Sequence, residues 1–236
     1  MTGRPIQVVS LGTVEYTTAL ELQRRLCQER RDGSRTDDLL LLLQHPPVVT
    51  LGRGTRSTSL PLSPELLRGL GFEVVEVERG GDVTLHGPGQ LVGYPIFDLT
   101  HHRQDLHWYL RTLEAMLIDT LAAGGIAGRR REGLTGVWVE ERKIASIGIH
   151  VKQWVTFHGF ALNITTNLAL FDRIVPCGIA GVEMTSIARE KPGSDPADLH
   201  ARTGAALFDA VARAFDRPVV HLPAQDLDPP VPSPGR

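Results

Sequence analysis

Apolar positions change their spacing repeatedly along the chain, and each spacing predicts an element. Ile6 to Leu11 is mostly aliphatic and reads as a strand. Tyr16, Ala19, Leu20, Leu22 and Leu26 then recur at helical intervals, which predicts an amphipathic helix over Glu15 to Gln28. Leu39 to Leu43 is an unbroken leucine run with the composition of a buried strand. Pro46 and Pro47 stop it, and Val48 to Leu51 resumes extended structure. Ser63, Pro64 and Glu65 form the N-cap and first turn of a short helix ending at Gly69 or Gly71. Phe72 to Arg79, rich in valine, predicts a strand closed by the turn Gly80-Gly81.

The strongest helical stripe is Leu106, Tyr109, Leu110, Leu113, Met116, Leu117 and Leu121, with Asp105 placed to cap it and Gly124-Gly125 to end it. From Gly136 onwards short apolar stretches alternate with turn signals, predicting strands over Gly136 to Val139, Lys143 to Val151 and Val155 to Leu162. A last helix is expected from Leu199 to Phe215. Strands in runs, with helices between some of them, are the pattern of an α+β domain. No repeat or interior linker divides the chain. Residues 1–222 are therefore expected to form one domain. Pro223 to Arg236, with five prolines and little apolar bulk, is expected to be a disordered tail.

Charge and composition narrow the partners. Lys plus Arg number 25 against 27 Asp plus Glu, a net charge of -2. No global field therefore draws the chain to nucleic acid or to an anionic membrane. The longest apolar run, Leu39 to Leu43, is far below the ~20 residues a membrane helix requires. Met1 to Ser10 lacks the apolar stretch of a secretory signal. The two cysteines, Cys27 and Cys177, make no disulfide framework and suit a reducing cytoplasm.

Four glycines, a proline and a histidine crowd the segment Arg79 to Gln90, RGGDVTLHGPGQ. A tight turn accounts for some of them. Glycine also lets backbone amides approach a ligand, and His86 within the cluster favours that reading. The spacing matches neither GxGxxG nor the phosphate loop. Cys177 lies between Pro176 and Gly178, a turn that can present a thiol, although free cysteines are more often small buried hydrophobes. Cys27, on the first helix, is the bland case. Lys143 opens an apolar strand, where an ammonium ordinarily snorkels to water. Next to a cysteine it would instead depress the thiol pKa. Ser146 to Gly148 and His158-Gly159 read equally well as plain strand. His101, His102 and His107 have no ligand spacing, and no metal is expected.

Five segments together resemble the octanoyltransferase family, also called lipoyl(octanoyl) transferases or lipoate-protein ligase B: QHPPVVTLGR (Gln44 to Arg53), RGGDVTLHGPGQLVGYPIFDL (Arg79 to Leu99), RKIASIGIHV (Arg142 to Val151), FHGFALN (Phe157 to Asn163) and PCGI (Pro176 to Ile179). Leu85 departs from the pattern, which has an aromatic residue there. The resemblance implies the α+β fold of biotin and lipoate ligase catalytic domains, a larger mixed sheet and a smaller one flanked by helices. It implies transfer of an octanoyl group from the phosphopantetheine thioester of octanoyl-acyl carrier protein to a lysine of a lipoyl domain. The acceptors are the lipoyl domains of 2-oxoacid dehydrogenase complexes and the glycine cleavage H protein. By the same resemblance Cys177 is the acyl-thioester nucleophile and Lys143 lowers its pKa. The substrate contacts map to Arg79, Gly80, Gly81, Asp82, Val83, Thr84, Leu85 and His86, to Ser146, Ile147 and Gly148, and to Gly159, Phe160 and Ala161.

The chemistry is self-consistent. A thiolate attacking a thioester yields another thioester, and aminolysis to an amide is downhill, so no ATP, metal or other cofactor is expected. Lys143, His86 or a water remains open as the base for the incoming amine, with Lys143 favoured. An ATP-dependent ligase of the same fold and a cysteine thioester hydrolase are the alternatives.

Overall fold

The computed structural model describes residues 3–178 and 181–227, the Cys177 side chain excepted. In chain order the elements are β1 (Ile6–Thr13), α1 (Tyr16–Asp32), β2 (Asp38–Gln44), β3 (Val48–Leu51), α2 (Pro64–Gly69), β4 (Glu73–Glu76), β5 (Val83–His86), β6 (Gln90–Ile96), α3 (Leu106–Ala123), β7 (Arg129–Arg131), β8 (Leu134–Val139), β9 (Arg142–Lys152), β10 (Val155–Asn163), α4 (Ile187–Glu190), α5 (Pro196–Phe215) and β11 (Val219–His221). Eight strands make a mixed sheet in the order β11-β1-β2-β6-β10-β9-β8-β7, and three make a small sheet, β4-β3-β5. This is the larger and smaller sheet of the expected α+β fold.

Burial of the leucine run decides where β2 sits. Successive side chains point to opposite faces of a sheet, so a strand apolar at every position needs cover on both sides. Leu40 and Leu42 enter the core beneath α3 and α5, with Phe97, Leu113, Leu117, Leu207 and Val211. Leu39, Leu41 and Leu43 enter the core beneath α1, with Ala19, Leu22 and Leu26. The small sheet packs Val49, Val83 and Leu85 on Leu67 of α2 and on Phe171 and Ile174. Local signals fix the helix starts. Asp105 accepts from the Trp108 N–H at the head of α3, and Ser63 caps α2 ahead of Pro64.

Three expectations change. The valine-rich strand is shorter than Phe72 to Arg79, reaching only Glu73–Glu76. The glycine-rich segment holds β5, and β6 follows it, where no strand was expected. Pro95 is tolerated in mid-sheet because β10 turns aside there. In the β6–β10 register it falls opposite His158, which has φ +56°, and the His158 N–H goes to Gln23 Oε1 of α1 at 2.9 Å. The boundary at 222 is also too early. Leu227 is fully buried against the core beneath α1, with Leu222 and Ala224 packed beside it. The remainder of the expected tail, residues 228–236, lies outside the described residues. Among the described residues no helix is long and apolar enough to cross a membrane.

Truncating Leu227 to alanine should cost about 2–4 kcal/mol, as for other buried leucines. Urea unfolding of Leu227→Ala checks this, and an unchanged midpoint would return residues 223–227 to the tail.

Candidate active site

A cavity of about 230 Å³ lies between the small sheet and the β6, β9 and β10 region of the large one. Two stretches of chain opened by glycines at Gly80, Gly81, Gly148 and Gly159 form its walls. On one side runs Arg79 to Thr84, and on the other run Ser146 to Gly148 and Gly159 to Ala161. The Gly80 N–H donates to Ile149 O at 2.9 Å and ties the first wall to β9. At Gly148 a β-carbon would stand 3.0 Å from Arg79 Cδ and 3.1 Å from Gly80 O, tighter than such contacts ordinarily are. A side chain there would therefore force the walls apart.

The inner end is aromatic and polar. Tyr16 stacks on His86, while His45 meets Tyr16, His86 and Tyr94 tilted or edge-on, with ring centroids 5.0–5.9 Å apart. Hydrogen bonds anchored in backbone carbonyls fix the tautomers. Gln90 Nε2 donates to Leu85 O at 3.3 Å and to Asn163 Oδ1 at 2.9 Å, and Asn163 Nδ2 donates to Thr185 O. Gln90 Oε1 is thus the acceptor, so His86 donates from Nδ1 at 2.7 Å and its Nε2 carries the lone pair. His45 likewise donates from Nδ1 to Val14 O, and its Nε2 accepts from the Tyr94 hydroxyl. Burial, with the neighbouring His45 second, pushes His86 down to about 3. Burial pushes His45 down to about 4. Both rings are neutral at pH 7, and His86 is too weak a base to hold a proton there.

Lys143 is pinned along one edge of its strand by the Glu183 to Thr185 segment, in a parallel bridge to Met184. Its N–H donates to Glu183 O at 2.8 Å, and its carbonyl accepts from the Thr185 N–H at 2.9 Å. The side chain does not snorkel to water. Lys143 is only 2% exposed, lines the cavity, and has Nζ 5.5 Å from the centre of the Trp138 ring. The segment that holds it, Glu183 to Thr185, is the continuation of the turn that bears Cys177. That turn is a single 3-10 turn, Pro176–Gly178, and is backed by Asp82. Gly178, at φ +66°, lies so close that a β-carbon would run into the Asp82 carboxylate. Ser59 Oγ donates to Asp82 Oδ2 at 2.6 Å, while Ser59 O accepts from the Val175 N–H. Asp82 itself lines the cavity. The side chain of Cys177, and Ile179, lie outside the described residues.

The sequence profile of the lipoyl protein ligase A/B catalytic domain matches residues 15–208. An octanoyltransferase of Synechococcus elongatus is 50% identical over 192 residues, 81% of each chain. One of Gloeobacter violaceus is 54% identical over 172 residues, 73% of this chain and 75% of the relative. The chain belongs to the octanoyltransferase family. Among solved structures, an ATP-bound lipoate-protein ligase A superposes with a TM-score of 0.77 at 12% identity, covering 93% of this chain and 89% of that one, a likeness of fold.

In this octanoyltransferase-family chain most of the residues singled out in the sequence line one cavity; the side chain of Cys177 lies outside the described residues and Leu85 is turned away. Arg79 to Thr84, His86, Lys143, Ser146, Ile147, Gly148, Gly159, Phe160 and Ala161 all line the cavity. Leu85 does not. Alternation along β5 turns it into the small core with Val49 and Leu67, so it contacts no part of the cavity. Arg79 and Asp82 spend their side chains on Thr50 and Ser59, which leaves their backbone as the wall. Tyr16, Tyr94 and Leu134 also line the cavity and were not singled out, and His158, read as plain strand, lines it too. Tyr16 shows in the sequence only as one position of a helical stripe, and Tyr94 sits in the unforeseen β6. Among the described residues no three His, Cys, Asp or Glu converge as metal ligands.

Two outcomes follow from this geometry. At Gly80 a β-carbon meets nothing closer than Ile149 O at 3.6 Å. Gly80→Val should therefore fold, fill the cavity mouth and raise the KM for an acyl donor; a parental KM would remove the segment from the binding site. The neutral histidines act on stability. Their folded pKa values lie below the unfolded value of about 6.5, so the unfolded state binds more protons as pH falls. Stability present above pH 6.5 should drop towards pH 4 by about 1.4 kcal/mol per pH unit for each. Urea titrations of His45→Gln should show a shallower fall, and an identical slope would contradict it.

Proposed function

We propose that this chain transfers an octanoyl group from octanoyl-acyl carrier protein to a lysine ε-amine of lipoyl domains, through a thioester on Cys177. The observation that carries the reading is a fully buried lysine at the cavity, held by the segment that continues the Cys177 turn. The family relationship supplies the acyl group, since the curated relatives are named octanoyltransferases.

In the first half-reaction the Cys177 thiolate attacks the donor carbonyl, and the carbon–sulfur bond to phosphopantetheine breaks. The leaving thiolate takes up a proton. In the second, the acceptor amine attacks the acyl-cysteine, an amide forms and Cys177 leaves as thiolate. Lys143, having given its ammonium proton to the leaving phosphopantetheine thiolate in the first half-reaction, takes the amine proton back, or water does. A free thiol with a pKa of about 8.5 is only a few per cent ionised near pH 7. A nearby ammonium favours the thiolate, and this is the role assigned to Lys143. His86, neutral with its Nε2 lone pair unprotonated, is an acceptor of hydrogen bonds and not the base. The energy of the donor thioester suffices, so the reaction uses no ATP, metal or further cofactor. The acceptors are the lipoyl domains of 2-oxoacid dehydrogenase complexes and the glycine cleavage H protein, and the chain works in the cytoplasm.

Intact-protein mass spectrometry after incubation with octanoyl-acyl carrier protein should show one octanoyl adduct, chased without ATP to an added lipoyl domain. Cys177→Ala should lose both adduct and product, and Lys143→Ala should move thiol alkylation by iodoacetamide to higher pH and slow both half-reactions. Cys27→Ser, which changes a buried thiol on α1, serves as the control. Transfer by Cys177→Ala at the parental rate, or dependence on ATP, would overturn the covalent route.

A further inference from the structure

Glu114 is a carboxylate buried where neither half-reaction uses it. It lies on α3, is fully inaccessible to solvent, and faces β7 and β8. Arg111 and Arg130, each with about half of its side chain exposed, donate to Oε2 at 2.6 and 3.0 Å. Those two ion pairs would form equally well nearer the surface, where the carboxylate keeps its hydration and the desolvation cost is avoided. What the buried position adds is the other oxygen. Oε1 accepts the backbone N–H of Gly136 at 3.1 Å, within β8.

Gly136 is the point of contact between β8 and Lys143. Its φ of +129° is a conformation that L side chains rarely adopt. A β-carbon on it would stand 2.6 Å from Ala145 O, 2.7 Å from Lys143 Cε and 3.2 Å from Nζ. The ammonium end of Lys143 therefore rests against the bare α-carbon of Gly136. Next to this contact the β8–β9 ladder slips: Val137 faces Ala145, Trp138 faces Lys143, and Ile144 is the extra residue. Such irregularities re-aim side chains. The Trp138 ring then covers Nζ from another side.

We propose that Glu114 is a positioning residue for Lys143: by holding the Gly136 N–H it fixes the stretch of β8 against which Nζ lies. The proposal rests on the reading of Lys143 as the group that keeps Cys177 ionised. A lysine that favours a thiolate does so over a few ångströms, so a small displacement of its seat weakens the effect sharply.

Two variants separate reach from charge. Glu114→Asp keeps a carboxylate for the two arginines, whose long side chains can follow it, but withdraws it from Gly136. Glu114→Gln keeps an oxygen for the Gly136 amide and gives up the charge. In Glu114→Asp, kcat for octanoyl transfer should fall on the order of 10- to 100-fold with little change in donor KM. Its thiol alkylation profile should move towards that of Lys143→Ala, and acylation of Lys143 by acetic anhydride, read by peptide mass spectrometry, should be faster than in the parent. Glu114→Gln should stay nearer the parent in all three measurements. The opposite ranking, or a folded Glu114→Asp that behaves as the parent, would overturn the proposal. If Lys143→Ala itself leaves the alkylation profile unmoved, the role given to Lys143 fails, and equal Lys143 labelling in parent and Glu114→Asp then separately overturns the seat. Should Glu114→Asp not fold, Gly136→Ala carries the test from the other side of the contact. The same displacement is expected of it, and a parental alkylation profile overturns the proposal.

Discussion

Arg79 is buried beside the small sheet, and its guanidinium bonds Thr50 through both carbonyl and hydroxyl, and the Gly80 carbonyl. Nη2 donates to Thr50 O and Oγ1 at 2.8 Å, Nε reaches the same hydroxyl at 3.3 Å, and Nη1 donates to Gly80 O at 3.2 Å. Thr50 belongs to the small sheet, while Gly80 is bonded to Ile149 of the large one. A buried charge left unpaired is expensive, so these acceptors have to stay where they are. Separating the sheets would break the Gly80–Ile149 bond or strip the guanidinium of Thr50, and either cost opposes widening of the cavity. The approach is possible only because Gly52 and Gly148 carry no side chains: a β-carbon on Gly52 would stand 2.7 Å from Arg79 Nη1, and one on Gly148 would stand 3.0 Å from Cδ.

Within that gap the chemistry is distributed by burial. The neutral His86 and His45 and the raised phenols of Tyr16 and Tyr94 make the inner end polar in shape but uncharged. Lys143 is held elsewhere, between β8 and the Glu183 to Thr185 segment. The hydrogen-bond chain from His86 through Gln90 and Asn163 ends on Thr185, whose N–H holds the Lys143 carbonyl. The orientation of the histidine and the placement of the lysine are thus properties of one connected network, and such networks are sensitive to loss of any single member.

Local sequence signals carried most of the elements, and long-range ones did not. The Asp105 cap, the α3 stripe and the β2 leucines each act within a few residues, so spacing alone reveals them. The residues about the cavity were legible through family resemblance, because segments of three separated motifs, Arg79 to Leu99, Arg142 to Val151 and Phe157 to Asn163, meet there only in three dimensions. Pro95 in a central strand was not legible. It is tolerated because His158, 63 positions later, adopts a left-handed conformation and hands its N–H to Gln23. Leu227 was hidden among prolines whose composition argues for a tail, and only the groove beside α1 makes it core. Lys143 reads as a surface lysine until Trp138 and Gly136 are seen to enclose it. Leu85 was carried along with its motif, while the two-residue period of β5 sends it to the other face.

The walls are made where side chains are missing, and this limits how the cavity can diverge. Gly93 faces the Phe160 ring, Gly159 faces the Gly93 carbonyl and Pro95 Cδ, and Gly148 faces Arg79. No single replacement at these positions is small enough to be neutral, so a lineage cannot adjust the bore gradually through them. The positions left for drift are lining residues that are only half-buried, such as Leu134 and Ile147. The reach of the cavity can therefore vary among relatives while its width is inherited unchanged.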